Sequence, residues 1–512
     1  MVEQPFDHLL TSNYSADDSE IPDIRFALVD AQDRLRSLEE KLAELELSEI
    51  EGDLQSLNER AHERDDIIAQ LLLCDEQRAH ITKLQSTLSP LRRFPFEILS
   101  LVFSFALSNS QKGVSMNPSS VFWGISQVCR LWREVACEGM PHVWSSIEID
   151  CVGMNGQNPT STLLELALRR SGTRPLSIRF YFSHKDKLGV LSESEKACLD
   201  LLAIQSFRWK EVELQYISIA ALDGLSVAVK GRIPLLRRLV VENVPVSLAA
   251  DTPSTAEAFQ VAPQLRHFSL SGFFRPSRFY LPWSQLDSYS GSFRDFHDFL
   301  FVLESAGNLN TCDVFWRNYH PGLMFDHLNM RTMRIHGELM GLSRLRLPYL
   351  QKLALDDLLI RDLGTVSAFL RRTPSVTSLE VYVPYDMGVA NSIDLLSEFM
   401  DACSNVTSLV LMGEFDMRSL CSLLNTSKSG QVVMPRLQHL SLFVLSTTNS
   451  ELANILGVMV ESRTRTSQRS LDNEYDHLSS LTLHALREPS VILECLKPLE
   501  ETFGLSVIVK LV

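Results

Sequence analysis

The sequence predicts an α plus α/β chain: coiled-coil-like helices at the N-terminus, a small helical domain, and a C-terminal α/β solenoid of repeats. Three observations predict it. Leucines recur at alternating three- and four-residue steps from Leu28 to Leu45. A dense apolar block at helical spacing follows Pro90. Beyond residue 143 an apolar-x-x-apolar-x-apolar unit returns again and again.

At 512 residues the chain exceeds one ordinary core, so two or three structural regions are expected. Residues 1–24 are polar and acidic, with clustered Ser, Asp and Asn, and are expected to be disordered. Residues 25–89 form the heptad-rich segment. Leu28, Leu35, Leu38, Leu42 and Leu45 make one stripe; Leu54, Leu57, Ala61, Ile68 and Leu71 resume it, followed by Ile81, Leu84 and Leu88. Gly52 and Arg64 interrupt the seam. Two arrangements fit it: antiparallel helices turning near Gly52, or a broken coiled coil that self-associates. Pro90 ends the stretch.

Residues 90–147 are expected to be helical. Ile98, Leu101, Val102 and Phe105 recur at helical spacing, with Pro95 where a first turn tolerates it. A second helix carries Ile125, Val128, Cys129, Trp132, Val135 and Ala136, and breaks at Gly139 and Pro141. Residues 148–512 hold the repeats, whose first copy, Trp144/Ile147/Ile149, straddles the boundary. Other copies include Trp209/Val212/Leu214, Leu236/Leu239/Val241, Leu350/Leu353/Leu355 and Leu478/Leu481/Leu483. The last two apolar positions are one residue apart and point to one face of a short strand. Amphipathic segments between copies, such as 393–402 and 417–424, predict helices, and residues 463–476 a loop. Strand then helix, repeated, builds a solenoid whose buried anchors each contribute about 1.5–3 kcal/mol.

Charge and chemistry narrow the function. The net charge is −15; residues 1–90 hold 21 acidic and 8 basic residues, so the rest of the chain carries only about −2. Nucleic acid is not expected as the main ligand, because phosphate binding needs a concentrated basic face. No apolar stretch reaches the ~20 residues of a membrane helix, and the first ten residues do not read as a secretory signal. An intracellular protein, cytoplasmic or nuclear, is expected, with its nine scattered cysteines reduced. The sequons at Asn13, Asn405 and Asn425 are then chance matches.

No catalytic, cofactor or metal motif stands out. His297/Asp298 reads as a helix start or surface pair, and Asp356/Asp357 as a solvated turn. The expectation is a protein that is not an enzyme and carries neither cofactor nor metal.

Two runs carry a resemblance: Phe94-Pro95-Phe96-Glu97-Ile98-Leu99, and Val128-Cys129-Arg130-Leu131-Trp132-Arg133 with Trp144 downstream. They resemble the F-box family in its F-box-like form, with Phe94 replacing the family's leading Leu. The repeats resemble degenerate leucine-rich repeats: Val244, Phe273, Leu358 and Leu486 lie near the place of the usual Asn or Cys. The resemblance implies the substrate-recognition adaptor of a cullin–RING ubiquitin ligase. Phe94, Pro95, Ile98, Leu99, Val102, Phe103, Val128, Cys129 and Trp132 would dock a Skp-type adaptor. An unidentified target would meet the outward strand residues, among them Asp313, Arg334, Glu380 and Ser441. The other reading is a non-catalytic repeat scaffold whose helical block only caps the solenoid.

Overall fold

The computed structural model describes residues 6–10, 15–51, 57–108, 113–151, 160–183, 191–242, 255–272, 274–318, 324–383, 393–413, 416–426, 432–444, 450–465, 476–485 and 490–511. The chain divides into two compact units: residues 1–148 with 162–174, and residues 149–161 with 175–512.

The first unit opens with α1 (Asp7–Leu10), α2 (Ile21–Glu51) and α3 (Leu57–Thr87). The expected disorder of residues 1–24 does not hold for the described part: Leu9, Ala16 and Ile24 bury against Ile81 and Leu84. Arg92 and Arg93 fix this segment by donating to the carbonyls of Leu9 and Ala16, both at 3.0 Å.

Helices α2 and α3 are antiparallel. Gln70 and Gln77 of α3 donate to the carbonyls of Leu38 and Ala31, so the two helices run past each other in opposite directions. The stripe on α2 follows the heptad expectation, extends upstream to Ile24 and takes in Ala31 between Leu28 and Leu35. On α3 it does not. Ile68 and Leu71 are exposed, and the inward stripe runs through Ile67, Gln70, Cys74, Gln77, Ile81 and Leu84. The reason is polar: each glutamine amide finds a backbone acceptor across the pair, so a polar side chain can sit inside. The expected turn near Gly52 and the stripe residue Leu54 lie outside the described residues, and Leu57 and Ala61 are described only as part of the helix backbone.

A single-turn 3-10 segment, Pro90–Arg93, leads to α4 (Phe96–Ser108). Next come β1 (Val114–Ser115), α5 (Val121–Val128), α6 (Arg130–Glu134), a π turn over Val135–Gly139 and α7 (Pro141–Trp144). Strand β2 (Ser146–Asp150) pairs with β1 in parallel, Val114 opposite Ile147. The first unit ends in α8 (Thr160–Arg170).

The second unit is an α/β solenoid-like array. Its strands are β3 (Leu176–Tyr181), β4 (Trp209–Gln215), β5 (Arg238–Glu242), β6 (His267–Ser271), β7 (Ser288–Asp295), β8 (Thr311–Asn318), β9 (Phe325–Asp326), β10 (Thr332–Gly337), β11 (Leu345–Arg346), β12 (Lys352–Leu355), β13 (Ser378–Tyr382), β14 (Ser408–Met412), β15 (His439–Val444), β16 (Ser480–Ala485) and β17 (Ser506–Leu511). All but β9 and β11 line up in chain order as one parallel sheet; those two pair with each other.

The intervening helices are α9 (Glu193–Ile204), α10 (Ile219–Val229), α11 (Phe296–Ser305), α12 (Leu363–Arg372), α13 (Ile393–Ala402), α14 (Met417–Leu424), α15 (Ser450–Arg465) and α16 (Ser490–Phe503). The bounds of α13 and α14 match the expectation. Helix α15 runs to Arg465, so the loop expected over 463–476 begins later than its composition implies.

The repeat anchors land in register. Leu239, Phe268 and Tyr289 are neighbours across β5, β6 and β7, and Leu353, Leu379, Leu409, Leu440 and Leu481 across β12 to β16. Every anchor in the recurring unit is buried. At the start of each strand the backbone repeats one link: Arg266 N–H donates to Arg237 O, Thr377 N–H to Gln351 O, Thr407 N–H to Thr377 O and Gln438 N–H to Thr407 O. Successive helices are joined by ion pairs Arg371–Glu398 at 2.9 Å and Arg418–Glu451 at 2.6 Å. Both pairs are solvent-facing, so each is worth about 0.2–1 kcal/mol.

Strands β3 and β7 escape the sequence motif for a definable reason. In β7 the last anchor is Gly291, opposite Leu270 and Val314. A Cβ there would overlap Leu270 O, and the Tyr289 phenol fills the space an anchor would take. In β3 the apolar positions alternate as Leu176, Ile178 and Phe180, with Pro175 where the first anchor would stand.

Candidate docking and recognition surfaces

In the first unit, α4 has two apolar faces. Leu99, Phe103 and Leu107 point inward, and Phe103 meets the Trp132 ring at 4.9 Å between centroids. The opposite stripe is Ile98, Leu101, Val102 and Phe105, at one-turn spacing and all exposed: Ile98 at 44% and Phe105 at 68%. Leu91, Phe96, Val121 and Val128 in the same block are also exposed. Exposed apolar residues are ordinary when single; a full helical stripe of them is the pattern that marks an interaction surface.

The sequence-derived docking set therefore separates. Ile98, Val102, Val128 and Pro95 lie on the surface, and Phe94 is half-buried. Leu99 and Phe103, each 1% exposed, belong to the core of the unit and cannot supply surface contacts. Cys129 has a local structural role, its thiol capping α6 by accepting from Trp132 N–H at 3.4 Å. Trp132 is half-buried against Phe103. The motif runs miss Leu101 and Phe105 as docking residues, although the helical period starting at Ile98 passes through both.

Behind this surface the unit is held by aromatic rings. Trp123 donates to Ser115 O and Trp144 to Ala136 O, at 2.9 and 2.7 Å. Their rings meet edge-on at 5.0 Å, and Phe122 packs on Trp144 at 4.9 Å. Arg170 stacks over both indoles.

In the second unit the outward strand residues are not chemically bland. His336 bridges two strands: Nε2 lies 2.8 Å from Asp313 and Nδ1 2.7 Å from Asp356. Arg334 lies 3.1 Å from Glu380 and 3.8 Å from Asp356, with its guanidinium 5.6 Å from the Tyr382 ring. Burial raises the Asp356 carboxyl pKa above its usual range, and the His336 and Arg334 charges oppose that rise. Asp356 Oδ1 is buried without a hydrogen-bond partner among the described residues. Asp356 is thus no solvated turn residue, while its neighbour Asp357 takes the turn itself, at φ +60°. Asp313, Arg334 and Glu380 are brought together across β8, β10 and β13. Ser441 is not in this group; it lies on β15, 2.9 Å from His484.

The His297/Asp298 pair stands at a helix start as expected, but neither residue is the cap, and only His297 is a surface residue. Asp295 caps α11 by accepting from Asp298 N–H at 3.1 Å, Asp298 is buried and His297 is exposed. Among the described residues, no group of three or more His, Cys, Asp or Glu could hold a metal ion, and no helix is long and apolar enough to cross a membrane. Burial raises the Cys198 thiol to about 11 and Cys151 to about 12, far from nucleophilic use near neutrality.

No family model and no curated protein matches the chain. Among solved structures, a Bacteroides fragilis protein from a structural genomics consortium overlaps 66% of this chain and 76% of its own, at 11% identity and a TM-score of 0.27. That overlap is too slight to bear on fold or function.

Proposed function

We propose that the chain is a target-recognition adaptor of the F-box kind. Its first unit docks a Skp-type adaptor of a cullin–RING ubiquitin ligase, and its repeat array presents a protein target. The observation that carries the reading is the exposed stripe Ile98, Leu101, Val102 and Phe105 on a helix whose other face is already buried. A helix in this state suits a partner groove, in which residues at i, i+3, i+4 and i+7 serve as anchors. The two motif runs around Pro95 and Cys129 support the same reading. The adaptor performs no bond chemistry; it raises the local concentration of the target beside the conjugating enzyme.

The test is copurification of the full-length chain with a Skp-type adaptor. Capture by the wild type, and its loss in Ile98→Asp combined with Phe105→Asp, is the expected result. A wild-type chain that captures no such adaptor overturns the reading and leaves the capping scaffold in its place.

A further inference from the structure

Three successive rungs of the array carry a cation at the same place. Arg237 N–H donates to Lys210 O at 2.8 Å, and Arg266 N–H donates to Arg237 O at 3.0 Å, so Lys210, Arg237 and Arg266 are stacked neighbours. Parallel strands are about 4.7–4.9 Å apart. One residue further on, Arg238 pairs in register with His267, and both are exposed. Arg232 is exposed at the turn leading to β5.

Internal neutralisation is weak. Lys210 lies 3.5 Å from Glu211, Arg266 lies 3.9 Å from Asp287, and Arg237 hydrogen-bonds the neutral Gln264. Arg232 makes no ion pair among the described residues, and Arg238, in register opposite Glu211, makes none with it either. Like charges on adjacent strands destabilise a sheet. Further along the array the same rung is held by Asp287, Asn310, Arg331, Gln351, Thr377, Thr407 and Gln438, so the run of adjacent cations ends at Arg266 and the fold itself does not require cations there.

An apolar row runs beside the cations. Phe207, Pro234 and Pro263 occupy equivalent places two residues ahead of the anchors Trp209, Leu236 and Leu265, and all three are exposed, Phe207 at 51%. The patch therefore joins a line of positive charge to a line of apolar contact, in a chain whose net charge is −15.

We propose that this edge of the array, at the N-terminal ends of β4, β5 and β6, binds an acidic segment of a protein partner. Carboxylates would meet Lys210, Arg237, Arg238 and Arg266, and apolar side chains would rest on Phe207 and the two prolines. The rung spacing is close to that of side chains one turn apart on a helix, about 5–6 Å, so acidic residues on one helical face match it. A nucleic acid fits less well: Glu211 and Asp287 interrupt the patch, and phosphate binding needs a broader basic surface. The inference rests on the adaptor reading, for which it names the chemistry of the target.

The experiment uses the full-length chain and a fluorescently labelled synthetic peptide of Glu, Ala and Leu. Its controls are the same peptide with Gln in place of Glu, and a single-stranded RNA. Saturable binding of the Glu peptide, weakened by added salt, is expected, with a loss of about tenfold or more in the Lys210→Gln/Arg237→Gln/Arg266→Gln variant. Absence of saturable binding, equal affinity for the Gln peptide, unchanged affinity in the variant, or binding of the RNA alone each overturns the proposal. If the triple variant fails to fold, Arg238→Gln carries the same test, with about a threefold loss expected and unchanged affinity overturning the proposal. Capture of a Skp-type adaptor is measured on the same preparation. Intact capture without peptide binding removes this inference alone, and peptide binding without capture removes the adaptor reading alone.

Discussion

The guanidinium of Arg170 lies 4.5 Å from the centre of the Trp144 ring, and the same group reaches Trp123 at 5.4 Å. One charged side chain thus closes α8 onto the two indoles behind the exposed face of α4. A desolvated cation over an indole is worth about 0.5–2 kcal/mol. Arg170→Ala is expected to lower the urea midpoint of unfolding, read by tryptophan fluorescence. Arg170→Lys should recover only part of the loss, because a compact ammonium does not spread over two rings as a planar group does.

The two faces of α4 predict opposite outcomes for adjacent residues. Ile98 is solvent-facing and Leu99 is buried. Ile98→Asp should leave the thermal unfolding curve close to that of the wild type and abolish adaptor capture. Leu99→Ala should cost about 2–5 kcal/mol of stability through the cavity it leaves. Equal destabilisation by both would show that the stripe is structural.

Two glycines should respond with opposite sign. Gly291 lies against Leu270 O, so Gly291→Ala forces the strands apart and should cost about 1–3 kcal/mol. Gly224 sits inside α10 with open space around its Cα, and Gly224→Ala should stabilise by up to about 1 kcal/mol. Denaturant midpoints of the two single variants check the pair.

Arg463 is a buried cation that serves the backbone. It is 1% exposed and donates to the carbonyls of Leu424 at 2.7 Å and Met434 at 3.2 Å, satisfying the end of α14. Arg463→Met keeps much of the volume and strands those acceptors. A loss of about 3 kcal/mol or more is expected in the denaturant midpoint.

These positions show what is legible in the sequence and why. The strand anchors are readable because one face of each strand is buried, which forces the apolar spacing; Leu353, Leu379 and Leu409 follow it without exception. Gly291 breaks the motif because the phenol of its neighbour Tyr289 fills the anchor's place. The heptad pattern puts the α3 stripe on Ile68 because a polar side chain ordinarily faces solvent, whereas Gln70 and Gln77 find acceptors across the helix pair. The motif runs select docking contacts without regard to the helical period, which is why they include Leu99 and leave out Phe105. The Asp313–His336–Asp356 bridge joins residues far apart in sequence and depends on register, which no local pattern encodes.

That bridge yields the final prediction, on pH. Burial raises the Asp356 carboxyl pKa, and the nearby His336 and Arg334 charges do not fully offset it. A carboxyl raised in the folded state favours folding while protonated. Its contribution is fully present below the ordinary carboxylate range and is lost as pH rises through the raised value. Asp356→Asn removes that ionisation while keeping shape and a hydrogen-bonding group. The variant should therefore gain on the wild type as pH rises from the ordinary carboxylate range through the raised value, and the difference should level off above it. Denaturant unfolding of both proteins across an acidic pH series measures the difference. A gap that is constant with pH would mean that Asp356 ionises as freely folded as unfolded, and that the bridge to His336 offsets the whole cost of burying its charge.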